Sequence, residues 1–452
     1  MSDGIQGMME NSPYKKNDRK IIFGWCMYDW ANSAFATTIL AALLPAYFAG
    51  EVVGPDGVMI GDTIYSATTL WGFIIALAAF LIFLTAPILG AISDFSASKK
   101  RFLLTFAYGG SLFTILLFFC QHGDVLKTLI IFLIAQIGFV AGNVFYDAFL
   151  PQIASEDKID WVSGKGFSFG YLGGGLQFAI ALGLVAGHAQ LGISQSLAAR
   201  IGIAMAGCWW AGFTLFTVKY LRELPRVGTI PEKFQNQPAI FAYSAVGFTN
   251  LMRTARRVGR FRHLLIFLIA FMLYNDGIQT VISMATIYGK EELKLSTTHL
   301  MLTLLVIQAI AIFGAMVFSY VAGYIGSKKA VMLTLAFWSG IVVYAYFITS
   351  ATEYFILGIG VGIVMGGSQA LSRSLYGSMI PEEASAEFYG FYSVFSKFSA
   401  IWGPMAFAII RQVAGSSRLS IVSLIVFFVT GLVLLFFVDE KKAREAKMAG
   451  AF

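Results

Sequence analysis

Twelve long apolar segments constrain the fold of this chain more than any other feature of its sequence. Each has about 20 or more mostly apolar residues, the length that an α-helix needs to cross the hydrocarbon core of a bilayer. Only 13% of the 452 residues are charged, about half the share found in soluble proteins. We therefore predict an all-α membrane protein with twelve transmembrane helices. The predicted spans are 21–49, 63–93, 102–121, 126–150, 164–188, 198–220, 263–288, 298–325, 330–350, 354–380, 388–412 and 419–438.

Lysine and arginine are distributed unevenly over the connections between these segments. Alternate connections, counted from the N-terminus, hold 24 of these basic residues, and the connections between them hold 6. Because cytoplasmic connections are enriched in Lys and Arg, this predicts two cytoplasmic tails, residues 1–20 and 439–452. The polar N-terminus and the long first segment lack the features of a cleaved signal peptide, so we expect the first helix to stay in the membrane.

The chain is divided into two similar halves by one long polar connection. This connection holds three prolines and an arginine cluster, and we expect it to lie near the anionic lipid surface. Tyr146 and Pro151 recur as Tyr376 and Pro381, at an offset of 230 residues. Parallel repeats of this kind are typical of transporters with a site at the interface of the repeats. The predicted units are a bundle at 21–220, a cytoplasmic loop at 221–262 and a bundle at 263–438.

Polar side chains form a stripe along the first and fourth segment of each half. A charged group in hydrocarbon costs on the order of 3 kcal/mol, so such stripes persist only where they face water, a partner or a substrate. Spacings of three and four residues place each stripe on one helical face. We predict that the four helices enclose one shared polar route. The stripes are Asp29, Asn32, Ser33, Thr37; Asn143, Tyr146, Asp147; Asn275, Asp276, Gln279, Thr280, Ser283; and Gln369, Ser372, Arg373, Tyr376.

Arg373 is the most restrictive residue of these stripes because a guanidinium stays protonated in proteins. We expect it to bind Asp147, another carboxylate or an anionic substrate group; a structural ion pair near the cytoplasmic end is the alternative. Asp29 and Asp276 are expected to carry a coupled proton or to bind a substrate amine, with an interfacial capping role as the alternative for Asp29. Lys397 is expected to pair with a carboxylate or to face the cavity. The predicted substrate-binding residues are Asp29, Asn32, Asn143, Tyr146, Asp147, Asn275, Asp276, Gln279, Gln369, Arg373 and Lys397.

A second charged group lies at the predicted cytoplasmic end of the second segment. The run from Gly90 to Asp94 is followed, after a short connection, by Lys99, Lys100 and Arg101. We expect these five residues to have a gating role, stabilising one conformation without touching the substrate. The equivalent run of the second half has a glycine where Asp94 stands, so the predicted gate is one-sided. Anchoring by positive charge alone is the alternative interpretation.

Other functional classes lack their characteristic residues in this sequence. The three cysteines and four histidines are scattered singly, so they predict neither a metal site nor a nucleophile with its base. We therefore predict no enzyme activity, no cofactor and no nucleic-acid partner. The absence of an ATP-binding loop predicts gradient-driven transport. The leading hypothesis is a secondary carrier for a small polar solute, its small-molecule substrate, with a proton as the candidate coupling ion, that works as a monomer in the lipid bilayer. The alternatives are a channel and an efflux carrier for drugs, siderophores or sugar-like compounds.

Several short runs match motifs of a known transporter family. The run 24–35 reads GWCMYDWANSAF, and further matching runs are 274–277 (YNDG), 366–374 (GGSQALSRS) and 387–390 (EFYG). Together they resemble the motifs of the vacuole effluxer family. This family is a branch of the major facilitator superfamily and is named for a fungal vacuolar amino-acid exporter. The run from Gly90 to Arg101 resembles the cytoplasmic loop motif of the superfamily, although Phe95 stands where a basic residue is usual.

This resemblance implies a major facilitator fold, with twelve helices in two pseudo-symmetric six-helix bundles that work by alternating access. It implies that Asp29, Asn32, Asp276 and Arg373 occupy motif positions of the family. It also suggests amino acids as a substrate class. The compact length and the lack of a glycosylation sequon fit a bacterial inner-membrane protein.

Overall fold

The chain folds into long membrane-spanning helices, as its apolar segments predict. The computed structural model describes residues 16–54, 56–223, 249, 261–295, 297–399, 402–414 and 417–448. Within these ranges, eleven helices are long and apolar enough to cross a membrane. They correspond to eleven of the twelve predicted spans. The remaining span, predicted at 388–412, is divided between two successive shorter helices.

The first half contains six spanning helices and one small hairpin. The first helix changes its winding along its length: α-helical Arg19–Ala34 continues as π-helical Phe35–Ala42, α-helical Leu43–Tyr47 and π-helical Phe48–Val53, and we name the whole of it α1. The strands β1 (Val58–Ile60) and β2 (Thr63–Tyr65) pair antiparallel between α1 and α2. The other spanning helices are α2 (Ala67–Ser96), α3 (Lys99–Leu116), α4 (Val125–Ala148), α5 (Ile159–Ala186) and α6 (Gln195–Tyr220), and single helical turns follow α3 (Leu117–Phe119) and α4 (Leu150–Ile153).

The second half begins with four long helices, as the first half does, and it ends with a short terminal helix. Its first four helices are α7 (Arg262–Glu291), α8 (Thr297–Ile325), α9 (Ser327–Phe347) and α10 (Ala351–Met379). They are followed by α11 (Ser385–Phe398), α12 (Trp402–Ala414), α13 (Ser417–Ser423), α14 (Ile425–Phe436) and α15 (Glu440–Met448). Most of the predicted loop 221–262, including most of its arginine cluster, lies outside the described residues, whereas Arg262 is the first residue of α7.

Short polar residues determine where several of these helices begin. The side chain of Asp18 accepts hydrogen bonds from two amides in the first turn of α1. Ser194 caps α6 in the same way, and Ser350 with Glu353 forms a capping box at the start of α10. Because the first amides of a helix have no partner inside it, these side chains stabilise the observed helix ends.

The outer surface of the helices is apolar, as a lipid environment requires. Leu126, Phe313 and Phe436 are 65–70% exposed, and each lies on a spanning helix. Two tryptophans are instead fully buried. Trp210 lies among the helices of the first half, and Trp338 lies among those of the second half. This distribution of large apolar side chains fits a protein whose outer surface contacts acyl chains.

Both ends of the described chain lie on the same side of the molecule, which we call the termini side. Lys16 forms an ion pair with Glu382, which follows α10, at 2.5 Å. Lys447 in α15 forms an ion pair with Glu156, which precedes α5, at 3.4 Å. Each pair joins an end of the chain to the opposite half, so the termini side is where the two halves are held together by charge.

Glycines allow helices from different halves to approach closely. A Cβ atom on Gly164 of α5 would lie 2.8 Å from the Ala315 carbonyl oxygen of α8. Ser168 of α5 also donates a hydrogen bond to the Ile312 carbonyl of α8, at 2.9 Å. Small residues at such positions permit tight packing of membrane helices. The α5–α8 pair therefore forms a close seam between the halves.

Candidate functional site

A cavity of about 400 Å³ lies between the two halves. Side chains of α1, α4 and α5 line it from the first half, and side chains of α7 to α10 line it from the second. Asp29 and Gln369, at its deep end, lie about 15 Å from the termini-side ends of α1 and α10 at ~1.5 Å per residue. At the other side, the lining reaches Tyr288 and Tyr354, which lie within one turn of their helix ends. The cavity is therefore displaced away from the termini side.

The deep end of the cavity is polar, and its side chains bind one another. The Asn32 amide donates to the Asn143 side-chain oxygen at 2.5 Å. That bond lies within the first half, whereas two other bonds join the two halves. Tyr171 donates to Gln369 at 2.6 Å, and Gln308 donates to Thr37 at 2.9 Å. The polar lining residues are Asp29, Asn32, Ser33, Thr37, Asn143, Tyr171, Gln279, Thr303, Gln308, Tyr288, Tyr354 and Gln369.

The part of the cavity nearer to its outer end is mainly apolar. Leu304 and Ile307 of α8 face the cavity there, as do Leu357 and Val361 of α10. Because α8 and α10 both begin on the side opposite the termini, these positions lie closer to that side than Gln308 and Gln369 do. The cavity thus changes from polar to apolar along its depth.

Arg373 lies next to the deep end of the cavity and binds both halves of the protein. Its Nη1 atom lies 3.1 Å from an oxygen of Asp147 on α4 and 3.7 Å from an oxygen of Asp29 on α1. Its Nε donates to the Ser163 hydroxyl at 3.0 Å, and its Nη2 donates to the Ser163 carbonyl at 2.8 Å. One side chain of α10 therefore joins three helices of the first half.

Aromatic rings surround the Arg373 guanidinium. Its central carbon lies 4.1 Å from the ring centre of Phe167, 4.9 Å from Trp25 and 5.3 Å from Tyr146. The Tyr146 hydroxyl also donates to Asp29 at 3.1 Å. The Arg373 side chain is only 4% exposed, and it does not line the cavity, whereas Asp29 and Phe167 do.

The predicted residues of α7 separate into two groups. Gln279 lines the cavity. Asn275 instead donates to the Ser399 hydroxyl at 2.5 Å, and an oxygen of Asp276 accepts from the Gly403 amide at 2.9 Å. These two partners flank the junction of α11 and α12, so Asn275 and Asp276 face that junction and not the cavity.

The predicted gating residues lie where α2 and α3 meet the start of α11. Asp94 forms an ion pair with Lys99 at 2.6 Å. The same carboxylate accepts from the amides of Ala386 (3.2 Å) and Glu387 (2.8 Å) on α11. Lys99 also donates to the Ser385 hydroxyl at 2.9 Å. This group of charges therefore joins the two halves on the termini side.

The remaining predicted residues have other surroundings. Gly90 packs against the backbone of α11, close enough that a Cβ atom would overlap it. Lys100 donates to the Val218 carbonyl within the first half, at 2.8 Å, and Arg101 is exposed. Lys397 belongs to α11, but its side chain lies outside the described part of the structure.

Comparison with known proteins identifies the family. The model of the family described as vacuole effluxer Atg22-like matches residues 17–448. The chain belongs to this family. A relative from Bacillus subtilis (strain 168), described as the uncharacterized MFS-type transporter YxiO, is 32% identical over 423 residues, which is 93% of this chain and 95% of the relative.

Solved structures give the fold of this vacuole effluxer family member. The human organic anion transporter MFSD10 (TETRAN) superposes with a TM-score of 0.67 at 15% identity, covering 93% of this chain and 100% of the other. The transporter FucP in its outward conformation also gives 0.67, at 12% identity, covering 92% and 98%. Both have the major facilitator fold, and the relatives are transporters, not enzymes. This vacuole effluxer family member is therefore a multi-pass membrane transporter with that fold.

Some residues of the site were not predicted from the sequence. Tyr171, Gln308, Ser163 and Phe167 contact the cavity or Arg373, but they belong to helices that carry no polar stripe. Gln308 offered a signal, since it is a single amide within an otherwise apolar segment. Phe167 offered none, because a phenylalanine in a membrane helix usually faces lipid or packs against its neighbours.

Proposed function

We propose that this protein is a secondary carrier that moves a small polar solute across the membrane by alternating access. The observation that supports the proposal is the cavity between the two halves, polar at its deep end and displaced away from the termini side. Such a cavity lets a solute reach the middle of the membrane from one side while packed helices block the other. If the termini are cytoplasmic, as the distribution of Lys and Arg predicts, this conformation faces outward.

Contacts between the halves account for the closed termini side in this proposal. Asp160 of α5 accepts hydrogen bonds from Ser327 (2.7 Å) and Ser374 (2.5 Å) in the second half. The Asp94 and Lys16 contacts cross between the halves on the same side. An inward-facing conformation requires these bonds to break. We therefore assign them a gating role, separate from substrate binding.

The deep polar residues are the proposed substrate contacts. Asp29 offers a carboxylate to a substrate amine, and Asn32, Asn143 and Gln369 offer amide groups as donors and acceptors. Amino acids are a candidate substrate class because they present both an amine and a carboxylate. In this proposal Arg373 positions Asp29 and holds α10 against the first half, and Asp276 supports the fold of the second half.

A proton is the proposed coupling ion. Asp29 and Asp147 share the single guanidinium of Arg373, so a proton on either carboxylate neutralises the group. The resulting change in the attraction between α10 and the first half links protonation to the conformation of the carrier. The titratable or charged groups near Asp29 are Cys26 and Tyr28 on its own helix, Tyr146 and Asp147 on α4, Tyr171 on α5, and Arg373 on α10.

Counterflow in proteoliposomes tests this function. Liposomes with purified protein are loaded with one unlabelled solute and diluted into the same labelled solute, and amino acids and amines are screened in turn. A carrier accumulates label transiently, whereas a channel equilibrates it without overshoot. Arg373→Lys should lower the overshoot more than tenfold, and Arg19→Lys, the same change at an exposed position, should leave it intact. An overshoot absent for every solute would contradict the proposal.

A further inference from the structure

We infer that the substrate is an organic cation with an apolar group, whose ammonium binds at Asp29 in the deep end of the cavity. This inference names the substrate class of the carrier proposed above and rests on that proposal. It favours amines without a carboxylate over zwitterionic amino acids. Two features of the cavity support this assignment: the charge that reaches it and the position of its apolar surface.

The charge that faces the cavity is negative. Asp29 is the only charged side chain among the described residues that line it. The other polar groups of the deep end are neutral amides and hydroxyls, such as those of Asn32, Asn143 and Gln369. A substrate carboxylate placed there would approach Asp29 without a cation to balance it, whereas an ammonium would be attracted.

Arg373 does not offer its charge to the cavity. The Phe167 ring, which itself lines the cavity, packs on the guanidinium at 4.1 Å. The donors on Nε and Nη2 are bound to Ser163, and Nη1 is bound to Asp147. Three of the five N–H groups of the guanidinium are thus bound to protein groups, and an aromatic ring packs on it. Recognition of a substrate carboxylate by paired hydrogen bonds from Arg373 would require a rearrangement, because Phe167 and not Arg373 lines the cavity.

The buried group of Asp29, Asp147 and Arg373 has a net charge of −1 when both carboxylates are ionised. Asp29 and Asp147 lie against the single guanidinium of Arg373. Lys165 on α5 forms no ion pair with either carboxylate among the described residues, and its ammonium lies over the rings of Trp161 (5.0 Å) and Phe169 (5.9 Å). Unbalanced buried charge is unfavourable. A monovalent cation bound at Asp29 neutralises the group, and a zwitterion leaves the excess in place.

The groups next to Asp29 suit an ammonium in detail. Among the described residues, Oδ1 of Asp29 has one weak side-chain partner, the Ser33 hydroxyl at 3.5 Å, so it can accept a stronger hydrogen bond from a substrate. The rings of Phe139 and Tyr171 line the same cavity. Aromatic faces attract organic cations, and this attraction increases when the cation is shielded from water.

The apolar outer part of the cavity defines the rest of the substrate. Leu304, Ile307, Leu357 and Val361 lie between Asp29 and the side opposite the termini. A substrate with its ammonium at Asp29 therefore places its remaining atoms against these side chains. Burial of an apolar group there adds to affinity in proportion to the area removed from water. The cavity of about 400 Å³ has room for an aromatic amine.

Four probes with one phenyl scaffold test the inference: phenethylamine (cation), phenylalanine (zwitterion), 3-phenylpropionate (anion) and 2-phenylethanol (neutral). Binding of labelled phenethylamine to the full-length protein in nanodiscs is measured at pH 7, with the other three as competitors. Empty nanodiscs give the contribution of partition into lipid. We expect phenethylamine to bind at least tenfold more tightly than each of the other three, because only it supplies an unbalanced positive charge.

Three variants locate the binding to Asp29. Asp29→Asn should weaken phenethylamine binding at least tenfold and remove its advantage over 2-phenylethanol. Asp29→Glu keeps the charge and should retain the preference for the cation. This variant shows whether a loss of binding in Asp29→Asn results from misfolding or from the lost charge. Asp62→Asn makes the same chemical change in the exposed hairpin between β1 and β2, and it should bind like the wild type.

The outcomes separate this inference from the proposed function. Phenylalanine or 3-phenylpropionate binding more tightly than phenethylamine would overturn the cation assignment, and so would an undiminished affinity of Asp29→Asn or no specific binding of phenethylamine. Counterflow of phenylalanine without phenethylamine binding would support the carrier function and contradict the assignment of an organic cation as substrate. Saturable phenethylamine binding at Asp29 without counterflow of any solute would support the cation-binding site and contradict the carrier function.

Discussion

The Asp94 contacts with α11 allow a quantitative prediction about the conformational equilibrium. In Asp94→Asn, the carboxylate that binds the amides of Ala386 and Glu387 (3.2 and 2.8 Å) and the Lys99 ammonium (2.6 Å) becomes a neutral amide. The two amide bonds cross between the halves and exist only when the termini side is closed. The bond to Lys99 lies within the first half and is available in both conformations, so it contributes little to the difference.

The expected magnitude follows from the two bonds that cross between the halves. A hydrogen bond to a charged group contributes roughly 1.5–3 kcal/mol. An asparagine oxygen can retain one neutral bond, and water replaces part of the loss when the termini side opens. We therefore expect the closed conformation to lose about 2 kcal/mol relative to the open one, which is a change of about 30-fold in their ratio.

Distance measurements between spin labels detect this shift. Nitroxides at Asp62→Cys and Thr352→Cys report the separation of the halves on the side opposite the termini, in a background where the exposed Cys208 is replaced by serine. Double electron–electron resonance should show a larger population at short distance in Asp94→Asn. Asp124→Asn is the matched control, because it removes an ion pair with Lys127 that lies within the first half (3.0 Å).

An unchanged distance distribution in Asp94→Asn would refute this reasoning, since it would mean that the contacts stabilise both conformations equally. A similar shift in Asp124→Asn would also refute it, because the effect would then follow from loss of any carboxylate. Equilibrium affinity for a substrate should change less than the distribution does, because Asp94 lies outside the cavity.

Three further predictions concern Arg373, Asp276 and Gly90. Arg373→Lys should lower counterflow more than tenfold at unchanged helical content by circular dichroism, because one ammonium cannot bind Ser163 and Asp147 together as the guanidinium does. Asp276→Asn should lower the apparent Tm, with a cost of about 1–2 kcal/mol for the weakened bond to the Gly403 amide, and leave phenethylamine affinity unchanged. Gly90→Ala should shift the nitroxide distances as Asp94→Asn does, because its Cβ overlaps the α11 backbone.

Each of these three has a distinct contradicting result. Counterflow retained by Arg373→Lys would remove the paired contacts of the guanidinium from the mechanism. A tenfold loss of phenethylamine affinity in Asp276→Asn would mean that this carboxylate acts at the cavity in another conformation. Gly323→Ala is the control for Gly90→Ala, since a Cβ there meets no atom within 4 Å, and an equal shift in both variants would contradict the packing argument.

The spanning helices and most of the polar faces were predictable from the sequence. Segment length and composition determine which residues can cross a bilayer, and spacing determines which side chains share a helical face. The stripe of α1 illustrates this, because Asp29, Asn32, Ser33 and Thr37 all line the cavity. Nothing in that reasoning required knowledge of the neighbouring helices.

The surroundings of each polar face were not predictable in the same way. Asn275, Asp276 and Gln279 lie close together on α7, yet only Gln279 reaches the cavity, because the other two face the junction of α11 and α12. That junction interrupts a segment whose composition predicts one continuous helix. Likewise, the sequence indicated that Arg373 needs an anion, but its separation from the cavity by Phe167 depends on the packing of α5 against α10.

The interruption between α11 and α12 restricts how the second half can move. Backbone amides within hydrocarbon must keep a partner, since each one left unsatisfied costs several kcal/mol. The Gly403 amide obtains its partner from Asp276 of α7, and Ser399 is bound by Asn275 of the same helix. A rearrangement that moved α7 away from this junction would take these partners from the Gly403 amide and from the Asn275 side-chain amide. We therefore expect α7, α11 and α12 to move as one rigid unit during a transport cycle. Any bending of helices should then occur in other parts of the molecule.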